Sequence, residues 1–385
     1  MIILFDLVTP QSFIGGAGEY IRRVFYELLN ITHNNSELKL LCAIDSSINK
    51  YAYKDLSFDV LTKKKLEIVD LAHEPLSIII SNKCVDKLFI GAAQYWGERY
   101  DVFNVNCKVI CVIHDLQDEE CTRNNIYQYV LPKESIKAKT KKIIHSFFIK
   151  SKDKKSRLSF VPVLYRKGNL KIITVSNYSK HSIMYNLDIN KDSIKILYSP
   201  ERIIKSSDNI DNIDLLRIIN NNTKYFLLLS GNRPLKNASK VLAAFRRFCL
   251  YSPDPIYIVT TGIKKSMYSN HIALPYLSDS DLTYVVKNCH AMIFPSYFEG
   301  FGYPPVEAMG YGKPILASNT TSIPEICGNA PIYFSPFYET DIFSAFMKFD
   351  NLDYDILSKK SKEQYYIVNK KQEQDLETLL QTIIE

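Results

Sequence analysis

The segment AMIFPSYFEGFGYPPVE, residues 291–307, decides the fold of this chain. Its first four residues, Ala291–Phe294, are a short apolar run that predicts a buried strand. A loop with two glycines follows, and two consecutive prolines then fit the first positions of a helix, where a missing N–H costs nothing. The helix is predicted to be short and to end at Gly310 or Gly312. A strand, a glycine loop and a helix in this order predict one unit of a parallel α/β sheet.

The same alternation of apolar runs and helical periodicity extends along the chain. In the first predicted helix, Glu19–Asn30, the residues Ile21, Val24, Phe25 and Leu28 share one face. Strands that alternate with helices predict parallel sheets covered on both faces. The predicted strands are Ile2–Phe5, Leu38–Ala43, Lys108–Ile113, Ile172–Val175, Ile194–Tyr198, Tyr225–Leu229, Ile256–Thr260, Ala291–Phe294 and Pro314–Ala317, and the further predicted helices are Asn177–Leu187, Ser239–Leu250, Asp279–Asn288 and Pro305–Tyr311.

The length of 385 residues predicts two domains, at about 100–200 residues per domain. We place the boundary near Ser199–Pro200, which gives domains of residues 1–199 and 200–385. The polar stretch Lys205–Lys224 is the best candidate for a linker. No internal repeat is evident.

The composition narrows the class of partner. The chain has 48 Lys and Arg against 41 Asp and Glu, a formal charge of +7, which suits an anionic partner. Aromatic residues are 12% of the chain but form no RNP-like string, so we expect no nucleic acid. No C-x-x-C or H-E-x-x-H pattern occurs, so we expect no metal. The charge-poor start and the lack of an apolar run of about 18 residues predict neither a signal peptide nor a membrane span, and a cytoplasmic protein is expected.

Two carboxylates flank the glycine loop of the opening segment. Gly300 and Gly302 allow a ligand to approach the backbone, and the helix N-terminus that follows attracts phosphate. Glu299 in the loop and Glu307 in the helix suit a hydroxyl-rich ligand, because a carboxylate accepts several hydrogen bonds. The alternative is that Glu299 caps the helix and Glu307 lies on a solvated face.

A second polar segment, SGNRPLKN at residues 230–237, also follows a predicted strand. Ligands of open α/β sheets bind at the carboxyl ends of the strands. The Arg233 guanidinium matches phosphate oxygens, and Lys236 adds a mobile positive charge. The alternative is a pair of solvated surface cations.

These motifs resemble those of glycosyltransferase family 4, whose members are retaining enzymes. The resemblance runs from about Tyr225 to Phe337 and includes the E-x7-E string, the GNRPLKN loop and the stretch SIPEICGNAPIYFSP. It implies the α/β GT-B fold, with two Rossmann-like parallel-sheet domains facing a central cleft. Residues 1–199 would bind the acceptor and residues 200–385 the nucleotide-sugar donor, with the last helix packing back on the N-terminal domain.

The resemblance also implies roles for the second-half residues. Arg233 and Lys236 would hold the donor diphosphate, Glu307 the ribose hydroxyls and Glu299 the transferred sugar. The Arg–Lys spacing is shorter than is usual in the family, and Tyr303 replaces a smaller aliphatic residue. Amides of the loop would contact sugar or phosphate, namely those of Gly300, Phe301, Gly302 and Tyr303.

Two features of the first half are similar to family motifs. Gly15 and Gly16 open the first helix, and the resemblance implies that they approach the donor phosphates; the alternative is a plain tight turn. His114, at the end of the strand Lys108–Ile113, would reach the reacting sugar and form the catalytic group together with Glu299. The alternative is that His114 is a histidine of the core or a helix cap.

The segment Lys133–Lys167 is rich in lysine and carries apolar residues in its middle. It predicts a basic insert that binds peripherally to the surface of an anionic membrane, which suits a lipid-linked acceptor. The alternative is a solvated helical hairpin or a disordered insert.

The predicted function is therefore transfer of a hexose from a UDP-, GDP- or dTDP-sugar to a glycan or lipid-linked glycan in bacterial surface polysaccharide synthesis, such as that of lipopolysaccharide. A sugar-nucleotide epimerase or glycosyl phosphorylase of the same fold remains an alternative. A non-catalytic basic binding module is the alternative from another class.

Overall fold

A computed structural model of the chain describes residues 1–12, 14–48, 51–96, 100–130, 169–203 and 223–385. The described residues form two compact units. Unit 1 contains residues 1–119, 169–203 and 371–385, and unit 2 contains residues 120–130 and 223–370. A single cut near Ser199–Pro200 thus differs from these units at 120–130 and at 371–385. The basic insert Lys133–Lys167 and residues 205–222 of the linker lie outside the described residues.

Unit 1 is built on a seven-stranded parallel sheet with strand order β3-β2-β1-β4-β5-β6-β7, so the order reverses between β1 and β4. The strands are β1 Ile2–Asp6, β2 Lys39–Ile44, β3 Glu67–Asp70, β4 Lys87–Ile90, β5 Lys108–Ile113, β6 Leu170–Thr174 and β7 Ile194–Ile196. The helices up to residue 203 are α1 Val8–Ser12, α2 Gly16–His33, α3 Phe58–Lys63, α4 Leu76–Asn82, α5 Ala93–Trp96, α6 Gln117–Arg123, α7 Tyr127–Val130 and α8 Asn177–Leu187. Helix α7 and the end of α6 belong to unit 2.

The apolar stripe predicted for the first helix does face a core. Ile21, Val24, Phe25 and Leu28 of α2 are all fully buried. The helix begins at Gly16, three residues before the predicted start, because the glycines of the turn belong to its first turn. A Cβ at Gly18 would lie 2.7 Å from the Tyr53 ring, so this position needs glycine for close packing.

Unit 2 is built on a six-stranded parallel sheet with strand order β10-β9-β8-β11-β12-β13, which reverses between β8 and β11. The strands are β8 Tyr225–Leu228, β9 Tyr257–Thr261, β10 His271–Leu274, β11 Ala291–Phe294, β12 Ile315–Ser318 and β13 Ile332–Phe334. The helices are α9 Ala238–Phe248, α10 Asp279–Asn288, α11 Tyr303–Gly310, α12 Ile323–Cys327, α13 Glu339–Asp350 and α14 Tyr354–Ile384.

Five phenylalanines form the aromatic centre of the unit 2 core. Phe226 on β8 is fully buried, and its ring centroid lies 4.9 Å from that of Phe346 and 5.2 Å from that of Phe349. Phe245 and Phe248 of α9 complete the group. Edge-to-face pairs such as these add to the gain from burial, so the group ties helices α9 and α13 to the first strand of the unit.

The last part of α14 packs within unit 1. Asp375 accepts a hydrogen bond from the Tyr198 N–H at 2.7 Å, and the Gln372 amide donates to the carbonyl of Ser199 at 2.6 Å. Both contacts satisfy backbone groups of the chain just after β7. This part of the helix therefore holds the end of the first half in place.

Candidate functional site

The two polar motifs of the second half lie on either side of the point where the unit 2 strand order reverses. The segment 230–237 follows β8, and the segment 295–302 follows β11, its neighbour in the sheet. Helices leave opposite faces of the sheet at such a point, which opens a crevice outside the carboxyl ends of the strands. The topology thus puts both motifs at the place where doubly wound sheets bind ligands.

The loop after β8 is pinned to the end of β9. Ser230, in the left-handed region at φ 56°, donates its N–H to Thr261 Oγ1 at 2.9 Å. The Gly231 N–H donates to the Thr261 carbonyl at 2.8 Å. A 3-10 turn over Pro234–Lys236 follows, and the Leu235 carbonyl accepts the N–H of Tyr297 at 3.0 Å. The two motif loops are therefore joined by a backbone hydrogen bond.

Lys236 and Glu299, one from each loop, form an ion pair. The side chains are only 15% and 19% exposed, and the Lys236 ammonium also lies 4.6 Å from the centre of the Phe294 ring. Arg233, in contrast, is exposed. A half-buried ammonium held by a single carboxylate can be drawn to an arriving anion at little desolvation cost, because it has already left bulk water.

Hydroxyl side chains at the end of β12 and just after it hold the Glu299 loop. The Glu299 N–H donates to Thr321 Oγ1 at 3.1 Å, and Ser322 Oγ donates to the Glu299 carbonyl at 2.9 Å. Ser318 Oγ donates to the Ser296 carbonyl at 2.6 Å. These residues were not predicted as part of the site, although the hydroxyl-rich run SNTTS directly after a predicted strand is a signal for them.

The helix after the loop, predicted as Pro305–Tyr311, begins at Tyr303, two residues before the predicted start. Gly302 precedes α11 at φ 103°, a conformation that favours glycine, and α11 ends at Gly310 as expected. Two of its first three positions are proline and have no N–H, so this end offers fewer donors than an ordinary helix terminus. The donors available near it are those of the loop backbone and Tyr303. Glu307, on the following turn, is half-buried.

A supporting network behind the loops was also missed. Tyr297 Oη donates to Asn237 Oδ1 at 3.0 Å, and Asn237 Nδ2 donates to the Pro336 carbonyl at 2.9 Å. Lys240 contacts Tyr297 Oη and donates to the Tyr129 carbonyl at 3.1 Å. Burial lowers the pKa of Lys240 and raises that of Tyr297. The network fixes the start of α9 against the end of β11.

In unit 1, His114 is held in one tautomer. Its Nε2 lies 2.9 Å from the Gly91 carbonyl, which can only accept, so Nε2 carries the proton and Nδ1 is an acceptor. The Tyr20 ring packs edge-on at 4.9 Å. The Gly91 N–H in turn donates to Asp6 Oδ2 at 3.2 Å. The fully buried Asp6, which the sequence analysis did not single out, thus sets the turn that orients His114, and burial raises the pKa of its carboxyl.

Burial lowers the pKa of His114 to about 4, with its hydrogen bond to Gly91 opposing the shift. An unfolded histidine titrates near 6.5, so the unfolded chain binds more protons between pH 6.5 and 4. We therefore expect unit 1 to lose up to about 3 kcal/mol of stability as the pH falls through this window. Fluorescence of Trp96, the single tryptophan and a buried residue of unit 1, measures this loss in urea titrations.

The variant His114→Gln retains a donor for Gly91 but does not titrate, so the pH dependence should become shallower by the same amount. The exposed residue His33 provides the matched control, His33→Gln, which should keep the dependence of the parent protein. If His114→Gln lost stability equally steeply with falling pH, His114 would not be the group that causes the pH dependence.

Gly15 and Gly16 stand at the N-terminus of α2. The Gly15 N–H lies 3.3 Å from Tyr53 Oη, and its carbonyl accepts the N–H of Glu19 at 3.0 Å. Gly16 is exposed. The first turn also carries Glu19, which pairs with Arg22 at 3.5 Å. These glycines and His114 belong to unit 1, whereas the other predicted site residues belong to unit 2.

The described part of the chain contains neither a candidate membrane span nor a candidate metal site. No helix there is both long and apolar enough to cross a membrane. Nor do three or more His, Cys, Asp or Glu side chains come together there in a way that could hold a metal ion.

Comparison with known proteins gives matches to glycosyltransferases. Residues 216–337 match the family model described as glycosyl transferases group 1. O-antigen chain mannosyltransferase B of Escherichia coli is 42% identical over 72 residues, which are 19% of this chain and 19% of that protein. O-antigen chain mannosyltransferase RfbU of Salmonella typhimurium is 22% identical over 263 residues, 64% of this chain and 66% of that protein. The matches thus span about a fifth of the first relative and 66% of the second.

The fold has counterparts among solved structures. The crystal structure of Anabaena Alr3699/HepE in complex with UDP and glucose has a TM-score of 0.66 at 13% identity, and the match covers 100% of this chain and 99% of that chain. At this identity the likeness concerns the fold alone. The two Rossmann-like parallel-sheet domains of the GT-B fold, predicted from the sequence, are confirmed.

Proposed function

We propose that this protein is a retaining glycosyltransferase of family 4 that moves a sugar from a nucleotide-diphosphate sugar to a glycan or lipid-linked glycan in bacterial surface polysaccharide synthesis. The observation that carries the proposal is the Lys236–Glu299 pair, which joins the two motif loops at the reversal point of the unit 2 sheet. The family match over residues 216–337 covers both loops and supports the same chemistry.

In this proposal the unit 2 residues bind the donor. Arg233 and Lys236 neutralise the diphosphate as the glycosidic bond breaks, and amides from Gly300 to Tyr303 add donors. Glu307 accepts hydrogen bonds from the ribose. When the diphosphate binds, Lys236 exchanges Glu299 for the diphosphate, and Glu299 then accepts hydrogen bonds from the transferred sugar. Two cationic side chains neutralise the diphosphate, so we propose that the reaction needs no metal ion. Activity should therefore persist in EDTA.

The unit 1 residues are proposed to contact the sugar and the donor phosphates. His114 is neutral near pH 7 because its pKa is about 4, so it offers the Nδ1 lone pair to a sugar hydroxyl rather than a positive charge. Gly15 and Gly16 let the donor phosphates approach the N-terminus of the 18-residue helix α2. Retention follows if the acceptor hydroxyl attacks from the leaving-group side and a phosphate oxygen takes its proton.

The relatives indicate the sugar and the pathway. Both are named O-antigen chain mannosyltransferases, so we propose mannose as the transferred sugar and a cell-surface polysaccharide as the product. A lipid-linked acceptor would place the enzyme at the inner face of the membrane. The basic segment Lys133–Lys167 is proposed to hold it there, and flotation with anionic liposomes tests that attachment.

Thermal denaturation with UDP, GDP, dTDP and their common sugar conjugates tests the donor site. A ligand at 100 times its dissociation constant adds about 2.7 kcal/mol of stability, which is visible as a shift of the melting temperature. We expect a shift with one nucleotide, and its loss in Lys236→Ala and Glu307→Ala. Lys360→Ala, which changes an exposed lysine of α14, should keep the full shift. A folded protein that no nucleotide stabilises would count against the donor site.

Product analysis separates the alternatives. An epimerase converts the nucleotide sugar without an acceptor, and a phosphorylase requires inorganic phosphate. A non-catalytic binding module binds ligand without turnover. Transfer that requires both a nucleotide sugar and a saccharide acceptor supports the proposal, and conversion of the donor alone into another sugar nucleotide contradicts it.

A further inference from the structure

Four adjacent strands of unit 1 each place a lysine on the same face of the sheet. Lys87 on β4 pairs with Lys108 on β5 in the parallel register. Lys171 on β6 pairs with Ile110, which lies two residues after Lys108 on β5. Lys195 on β7 pairs with Ile173, which lies two residues after Lys171 on β6. Residues that are paired, or two apart on a strand, point to the same side of a sheet. The four lysines therefore form a staggered lysine row.

This row brings like charges together. Neighbouring strands are about 4.8 Å apart, and like charges opposite one another destabilise a sheet. Burial and repulsion by Lys108 and Lys171 lower the pKa of Lys87 to about 8. Burial and the Lys171 ammonium also lower the pKa of Lys108, while Glu385 opposes the shift at both lysines. An uncharged residue at Lys108 or Lys171 would reduce this repulsion, yet both positions carry lysine.

Within the described ranges, Lys87 is the member of the row whose position a structural contact explains. Lys87 is 4% exposed, and its ammonium donates to the Ile383 carbonyl at 3.1 Å in the last turn of α14, where a cation is favourable. Among the described residues, no carboxylate oxygen lies within 4.0 Å of the ammonium groups of Lys108, Lys171 or Lys195. Three positive charges of the row therefore lack a close counter-charge from the described chain.

A cavity of about 530 Å³ adjoins the row. Lys171 and Lys195 line it together with Lys180 and Lys191, and the one acidic residue of its lining is Asp192. The volume lies within the range of about 300–1,000 Å³ found for small-molecule sites. None of its lining residues is an exposed large hydrophobic residue, which disfavours a surface that inserts into a membrane.

The cavity is separate from the proposed catalytic residues of this unit. Lys108 is the first residue of β5, and His114 follows the last one. At about 3.3 Å per residue, the six steps between them span about 20 Å. Lys87 and Lys108 open their strands, but the row slants: Lys171 pairs with Ile110, and Lys195 pairs with Ile173, which itself pairs with Val112. The separation therefore rests on the lining of the cavity, which does not include Gly15, Gly16 or His114.

We propose that this cavity binds a small soluble anion with two or more phosphate groups, held by Lys171, Lys191 and Lys195 with Lys108 beside them. Lysine ammonium groups bind phosphate as point charges that can each reach a different oxygen. A ligand with several negative charges balances the row, which a single carboxylate does not. The binding of this ligand is independent of the donor site and adds a second small-molecule site to the protein.

Calorimetric titration with inorganic pyrophosphate tests the proposal on the full chain. The background carries Arg233→Ala and Lys236→Ala, which removes the phosphate contacts proposed for unit 2. We expect one pyrophosphate per chain, and a dissociation constant at least about tenfold weaker when Lys171→Gln and Lys195→Gln are added. The matched control, Lys54→Gln with Lys63→Gln, removes two exposed charges of the same unit and should leave binding unchanged.

Three results would overturn the proposal. The first is no heat of pyrophosphate binding in a protein whose Trp96 fluorescence shows that unit 1 is folded. The second is equal weakening by the lysine-row variant and its control, which would show a nonspecific effect of net charge. The third is sedimentation with phosphatidylglycerol vesicles that requires Lys171 and Lys195 while pyrophosphate does not bind, which would assign the phosphate to a lipid.

Discussion

Replacing Lys236 with methionine is expected to lower the turnover number of sugar transfer about 10²–10³-fold. Methionine keeps much of the length of the side chain and can still pack on the Phe294 ring, which the ammonium contacts at 4.6 Å. It removes the positive charge that is proposed to stabilise the departing diphosphate. Since charge develops on that group in the transition state, the loss should appear mainly in kcat.

The same substitution also leaves Glu299 without its cationic partner, so a structural effect must be separated from a catalytic one. The double variant with Glu299→Gln removes the uncompensated carboxylate. The single variant Glu299→Gln measures what Glu299 contributes by itself. A merely structural pair predicts that the double variant turns over at the rate of Glu299→Gln alone, whereas a direct role of Lys236 at the diphosphate predicts a further loss. Lys360→Met, at an exposed position of α14, should turn over at the rate of the parent protein.

Phe226→Ala is expected to destabilise unit 2 by about 3–5 kcal/mol. The ring is fully buried and lies within 6.2 Å, centroid to centroid, of the four other phenylalanines of the core. Alanine leaves a cavity that the surrounding β-sheet and helices fill only partly. Hydrogen exchange of the β8 amides measures the loss, because these amides exchange only when the core opens.

The conservative variant Phe226→Leu retains most of the buried volume and should lose clearly less stability than alanine. The exposed residue Leu250→Ala offers a control outside the core, with an expected change within about 0.5 kcal/mol. A loss below about 1 kcal/mol for Phe226→Ala would show that β8 is not part of the cooperative core of unit 2.

Short strands mark the limit of what periodicity could predict. In the part of the chain that the structure describes, eight strands have only three or four residues, and half of them, β3, β4, β10 and β13, were not predicted. A run such as Lys87–Ile90 is too short to show a period, and it opens with a lysine that burial would normally exclude. Pairing on both sides makes β4 a strand: β1 and β5 are its neighbours in the sheet.

The sequence by itself determined the class of fold and the motif residues of the candidate donor site. Strand–loop–helix units, glycines where the backbone turns sharply and prolines at a helix start are local signals, since each depends on a few neighbouring residues. Lys236 and Glu299 could both be named in this way. Their pairing could not be predicted, because 62 residues separate them and only the order of β8 and β11 in the sheet brings their loops together.

Tertiary structure alone decided the contacts that depend on register and on distant segments. Asp6 sets the turn at Gly91, and Gly91 selects the tautomer of His114, although the three lie at the ends of different strands: Asp6 ends β1, Gly91 follows β4 and His114 follows β5. The lysine row likewise exists only because four strands align in one register. Such contacts depend on which strands become neighbours, and the burial of the whole core determines that choice.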